Sequence, residues 1–205
     1  MPSWMTGAFA ALVFFTSIVA AQDQRAAVAA SFTFNGATVT IHRDAPAPDI
    51  AARFGATHGA CDGPCIDPIQ GPDGIATLGE MEVLTFLGNK VQDSTGLMVD
   101  ARSPLNRAKG YIPGTVNLPH TAVVPGSTMR SEILIALGAR EFDGVYNFAD
   151  APDLLVYDNG PLDSAGTLLV TYMLAAGFPP EKLSQYRGGM LVWATLGLNI
   201  DEGQS

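Results

Sequence analysis

The sequence predicts an α/β domain, a parallel sheet with helices on both faces, preceded by a small N-terminal β-hairpin and a loop extension. Three observations carry this expectation. From Thr77 onward, short apolar runs alternate with longer apolar or amphipathic stretches, as crossover units joining parallel strands do. Two of those runs, Gly96-Leu-Met-Val-Asp100 and Asp153-Leu-Leu-Val-Tyr157, are apolar almost without a break, the pattern of strands buried on both faces. Upstream, Ser31 to Ile41 alternates apolar with small or polar residues around Asn35-Gly36, a dipeptide suited to a two-residue turn with positive φ.

Composition agrees with one well-buried domain. Hydrophobic residues make up 47% of 205 and charged residues 15%, so there is apolar surface enough to offset the entropy of ordering the chain. The 20 Asp and Glu outnumber the 11 Lys and Arg, and the net charge of -9 repels phosphate backbones, which argues against a nucleic-acid partner. The strongly apolar run from Gly7 to Ala21 is followed at once by Gln22-Asp23-Gln24-Arg25. It is shorter than the roughly 20 residues that span a bilayer and ends in small residues, so residues 1–21 read as a signal peptide. Met1 to Thr6 contains no Lys or Arg, unlike the usual charged start of such a segment. The expected mature protein begins near Gln22, is periplasmic or secreted, and has no stable membrane anchor.

The elements follow in order. Residues 22–76 form an extension holding the hairpin and, from Asp44 to Gly74, a loop rich in Pro, Gly, Asp and Ala. Within it lie Cys61-Asp-Gly-Pro-Cys65, the chain's two cysteines, for which an exported setting makes a local disulfide the default. The domain proper spans 77–205. Thr77-Leu-Gly-Glu80 has the side chains of a reciprocal capping box, which predicts a helix from about Leu78 to Lys90. Strand Gly96 to Asp100 comes next, then a short helix opened by Ser103-Pro104 and closed at Gly110. A strand from Thr115 to Leu118, a helix from Ser131 to Leu137, the strand Asp153 to Tyr157 and a helix from Ser164 to Ala176 complete the prediction.

Three segments, Leu97 to Pro104, Gly110 to Pro119 and Tyr186 to Trp193, together resemble the rhodanese family. Leu97-Met-Val-Asp100-Ala-Arg102-Ser-Pro104 is similar to its strand ending in Asp-x-Arg. Gly110-Tyr-Ile-Pro-Gly-Thr-Val-Asn-Leu-Pro119 is similar to its G-x-I-P-G-A-x-N-L-P signature, and Tyr186-Arg-Gly-Gly-Met-Leu-Val-Trp193 to its closing Y-R-G-G-M-x-x-W. The resemblance implies a rhodanese-like sheet for 77–205. Read physically, Gly110, Gly114, Gly188 and Gly189 allow tight bends and close backbone approach, so these segments also serve as scaffold.

In that family the strand before the active-site loop leads into a cysteine that carries a persulfide. Here the corresponding loop is Asp158, Asn159, Gly160, Pro161, Leu162, Asp163 and Ser164. Against the C-N-G-P-W-C-G-Q-S of an exported branch, the resemblance places Asp158 at the catalytic cysteine and Asp163 at a second cysteine. A carboxylate is no soft sulfur nucleophile, so the loop has no expected catalytic residue. An Asp at its base is also expected to occupy the anion-attracting amides of the loop and the following helix. The same branch resembles this chain at Cys65-Ile-Asp-Pro68, which implies a structural disulfide between Cys61 and Cys65.

The resulting expectation is a rhodanese-homology protein without sulfurtransferase activity, a binding or regulatory module for an unidentified small ligand or protein, with no cofactor. Two alternatives stay open: a periplasmic redox or metal-handling protein using Cys61 and Cys65, whose thiolates with His58 suit copper, or a residual thiosulfate-type sulfurtransferase. Asp158 and Asp163 could contribute to a calcium site, but calcium takes roughly six to eight oxygens and the loop has few more, so no metal is expected. His42, His58 and His120 are scattered; His120, just past the second motif, is the one expected near the loop.

Overall fold

A computed structural model describes residues 30–41, 53 and 71–203 of the chain. The predicted signal peptide, the Cys61 and Cys65 pair, His42 and His58 lie outside the described residues.

The predicted hairpin is present: β1 (Ala30–Phe34) pairs antiparallel with β2 (Ala37–Ile41). Its turn places Asn35 at φ 49° and Gly36 at φ 76°, the two positive values a right-twisted hairpin requires. The main sheet has five strands, β3 (Ala76–Leu78), β4 (Gly96–Asp100), β5 (Thr115–Asn117), β8 (Asp153–Tyr157) and β9 (Leu183–Tyr186), in the order β3-β9-β8-β4-β5 with every pairing parallel. Helices cover both faces, as a parallel sheet needs. Leu154, Val156 and Val99 pack with α3 (Arg130–Ala136) and α4 (Ala165–Leu174) through Leu134, Leu169, Val170 and Met173. Met98, Leu155 and Tyr157 pack on the other face with Val83 of α1 (Glu80–Phe86) and with Met190 and Trp193 of α5 (Gly189–Thr195). The hairpin joins this second layer through Phe32 and Ile41, both buried.

Strands β4 and β8 have the predicted limits. The short helix α2 (Pro104–Arg107) starts at Ser103, whose hydroxyl accepts from Asn106 N–H at 3.3 Å. The first helix differs from the prediction. Thr77 lies in edge strand β3, so the helix starts at Gly79, where Glu82 accepts the Gly79 N–H at 3.1 Å. Glu80 instead accepts from the Tyr186 hydroxyl at 3.0 Å. Beyond Phe86 the helix widens into a π-helical turn, Leu87–Val91, which places Leu87 and Val91 in the core. Four strands, β3, β6, β7 and β9, and helix α5 lie outside the sequence expectation. The hairpin β6 (Arg140–Phe142) and β7 (Val145–Asn147) turns at Asp143-Gly144, with φ 50° and 78°.

Candidate functional site

All parallel strands point their C-terminal ends to one side, and the site is built there. Strand β8 buries Tyr157 completely, and the chain leaves the sheet at Asp158, only 2% exposed. The Asp158 carboxylate is held from both sides: Oδ1 accepts the Gly160 N–H at 2.8 Å and Oδ2 accepts the Gly166 N–H, in the first turn of α4, at 2.9 Å. Gly166 permits this approach, since a Cβ there would sit 3.0 Å from Asp158 Oδ2. Asp163 folds back as well, its Oδ2 accepting from Asn159 Nδ2 at 2.7 Å and Asn159 N at 3.3 Å, and its Oδ1 from Ala165 N at 3.0 Å.

Burial pushes the Asp158 carboxyl up to about 7, and the nearby negative Asp163 adds to the rise, against the two amide donors and Arg102, which favour the charged form. The amides of Asn159, Gly160, Ala165 and Gly166 thus donate to the side chains of Asp158 and Asp163.

The resemblance motifs support the loop from below. Arg102 is buried and donates to Asp100 Oδ1 at 2.9 Å, Asp100 Oδ2 at 2.7 Å and the Gly110 carbonyl at 2.8 Å. Its Nη1 reaches Asn159 Oδ1 at 3.2 Å. Arg107 gives Asp100 a second cation at 3.3 Å, and the Tyr157 hydroxyl donates to the same carboxylate at 3.0 Å. Burial first, and Asp100 second, hold the Tyr157 phenol far above its usual range, so it stays a donor. From the third motif, Gly189 at φ +54° lets α5 meet the loop, with Met190 N–H bonded to Asp158 O and Leu191 N–H to Asn159 O, both at 3.0 Å. A Cβ on Gly189 would lie 2.4 Å from Gly160 N and 2.5 Å from Asp158 O.

No family model matches the chain, and no curated protein matches it. Among solved structures, a protein from Bacillus halodurans is 13% identical, with 62% of this chain and 77% of that one covered and a TM-score of 0.47. Thiosulfate sulfurtransferase from Pseudomonas aeruginosa is 21% identical over 64% of this chain, with a TM-score of 0.42, and the match spans 21% of that enzyme's length. The rhodanese-like domain of a protein from Anabaena sp. is 18% identical over 60% of this chain and 76% of its own, with a TM-score of 0.40.

A cavity of about 270 Å³ opens over the loop, lined by Asn106, Asn159, Gly160, Leu162, Asp163 and Leu191. Asp158 lies beneath its floor rather than on it. His120, expected near the loop, is not in this lining; it starts a 3₁₀ turn that packs on α4, and its buried Nδ1 has no hydrogen-bond partner among the described residues. No group of three His, Cys, Asp or Glu that could hold a metal occurs among the described residues. A larger cavity, about 510 Å³, lies at the opposite, N-terminal end of β4 and β8. Its cations are engaged, Lys90 with Asp153 at 3.0 Å and Lys182 with the carbonyls of Ala149 and Ala151 at 2.8 and 2.7 Å.

The residues that sequence reasoning missed are Gly166 and Gln185. Gln185 Nε2 donates to Thr167 Oγ1 at 3.2 Å, and its buried Oε1 has no partner among the described residues. A glycine within the first turn of a helix, where alanine is favoured, was the available signal for Gly166.

Proposed function

We propose that this protein is an exported rhodanese-homology protein whose active-site loop no longer transfers sulfur and serves as a binding or regulatory surface. The observation that carries this reading is the Asp158 carboxylate, which accepts the Gly160 and Gly166 N–H groups at 2.8 and 2.9 Å. Those are the donors a substrate anion needs, and a thiolate is absent from the position the resemblance gives to the persulfide carrier. The three sequence motifs support the homology, and their buried Asp100, Arg102 and Gly189 hold the loop without entering its cavity. The run from Gly7 to Ala21 supports export. Among the described residues no helix is long and apolar enough to cross a membrane.

The test is a sulfurtransferase assay on the purified protein with thiosulfate or mercaptopyruvate as donor and cyanide as acceptor. No thiocyanate and no protein persulfide are expected. Steady turnover that survives removal of trace contaminants overturns the reading, and its loss on mutating Cys61 or Cys65 would assign catalysis to that pair.

A further inference from the structure

The chain contains two Asn-Gly dipeptides, Asn35-Gly36 in the hairpin turn and Asn159-Gly160 in the loop. They share one latent reaction, because a glycine after asparagine leaves its backbone nitrogen open to approach by the side-chain carbonyl carbon. Their surroundings differ completely. Asn35 and Gly36 are exposed, and no side-chain hydrogen bond holds Asn35 among the described residues. At Asn159 the nucleophilic N–H, the carbonyl oxygen and the amide nitrogen are each held by a hydrogen bond. The Gly160 N–H donates to Asp158 Oδ1 at 2.8 Å, Arg102 Nη1 donates to Asn159 Oδ1 at 3.2 Å, and Asn159 Nδ2 donates to Asp163 Oδ2 at 2.7 Å. Because Arg102 can only donate and an ionised Asp163 can only accept, these two contacts also tell the oxygen of the Asn159 amide from its nitrogen.

We propose that Asn159 is a self-modification site, at which the Gly160 nitrogen closes on the Asn159 side-chain carbonyl carbon to give a cyclic imide, with Asp158 as the base. The bond from Gly160 N to Asn159 Cγ forms as the Gly160 amide proton passes to Asp158. Negative charge developing on Asn159 Oδ1 is held by the Arg102 guanidinium, the role of an oxyanion-stabilising donor. The bond from Cγ to Nδ2 then breaks, the departing nitrogen takes up one proton from water in the cavity and leaves as ammonia, and Asp158 returns its proton to water, so the step is proton-neutral. Asp163 Oδ2 holds the departing nitrogen through its N–H until then. Water opens the imide to an aspartyl or isoaspartyl residue, so no oxidant, reductant or other co-reactant enters. The product sets a new carboxylate against Arg102 and beside Asp163, a permanent change in the lining of the 270 Å³ cavity. This inference does not depend on the functional reading above.

The charged groups facing Asp158 are Asp163 from its own loop and Arg102 from the segment after β4; β9 offers the neutral Gln185, and α5 offers backbone. Asp158 takes a proton only when ionised, so the rate at Asn159 should rise up to about pH 7 and then level. At Asn35, where hydroxide is the base, it should rise about tenfold per pH unit. The experiment is peptide mapping by mass spectrometry of the folded full chain, aged at a series of pH values, with Asn35 as clock in the same sample. Imide is read as loss of ammonia, and the opened product as replacement of amide by acid. Near neutral pH, Asn159 should convert about tenfold or more faster than Asn35, while in denaturant the two rates should converge. Asp158→Asn should drop the folded-state rate at Asn159 below that at Asn35; a variant that fails to fold shows converged rates, and the wild-type pH profile then decides. An unmodified Asn159 after Asn35 has reacted, or a rate at Asn159 that climbs with hydroxide in parallel with Asn35, overturns the proposal.

Discussion

Replacing Asp158 by Asn should make the protein relatively more stable as pH rises, contrary to the behaviour of an ordinary surface carboxylate. In the folded chain burial and Asp163 lift the Asp158 carboxyl from 3.8 to about 7. Between those values the native state retains a proton that the unfolded chain has released. Because the native state binds more protons there, stability must fall as pH rises through the window and level off above about 7. Three pKa units at 1.36 kcal/mol each give a loss of about 4 kcal/mol. The variant carries no titrating group at this position, so its stability relative to wild type should improve by about that amount between about pH 4 and about pH 8. Urea unfolding of both proteins across this range measures the difference, in which the other titrating groups largely cancel. Parallel pH curves, or a wild type that gains on the variant with rising pH, would show that the Gly160 and Gly166 amides outweigh burial and that the carboxylate is comfortably ionised.

Further outcomes follow from the same geometry. Asp158→Cys places a thiol between the Gly160 and Gly166 amides, but burial and Asp163, which raise the carboxyl there, also oppose a thiolate, so alkylation rates against pH should show a thiol less acidic than the usual value of about 8.5, with partial recovery of persulfide formation at most. Gly189→Ala puts a methyl 2.4 Å from Gly160 N at a positive φ, and thermal unfolding should show a destabilisation of about 2–4 kcal/mol. Arg102→Ala leaves the buried Asp100 with Arg107 as its remaining cation and should cost about 3–5 kcal/mol by denaturant unfolding. For Cys61 and Cys65, alkylation of the natively purified protein without reductant should label neither sulfur, and alkylation after reduction should label both.

The elements read from sequence were those whose cause is local. Strands β4 and β8 are buried on both faces, and their unbroken apolar runs fixed their limits. The β1-β2 turn was legible because Asn-Gly accepts two positive φ values. Asp143-Gly144 carries a related signal, but its flanking strands are three residues each and largely exposed, without an apolar alternation to mark them. The start of α1 was misplaced because Thr77, a good capping residue in isolation, is drawn into pairing with Gln185 of β9, a partner more than a hundred residues away. Strand β9 itself has a mixed sequence, Leu183-Ser-Gln-Tyr186, whose burial depends on the sheet around it.

The same division runs through the site. Sequence alone determined that the loop after β8 holds two carboxylates and no thiol, because the chemistry of a side chain is a property of its residue type. It also gave the expectation that an Asp at the base of the loop accepts from the amides around it. Only the tertiary structure decided which amides those are, Gly160 within the loop and Gly166 on α4, and that Arg102 reaches across from the end of β4 to Asn159. The raised Asp158 carboxyl was likewise invisible in sequence. It arises from burial, to which the close approach of Gly189 contributes, and from Asp163, which Asn159 and Ala165 hold beside it. Residue type sets which reactions a group can enter, whereas its solvation and its partners are set by segments distant along the chain, through contacts that form only when the sheet and its covering helices are packed.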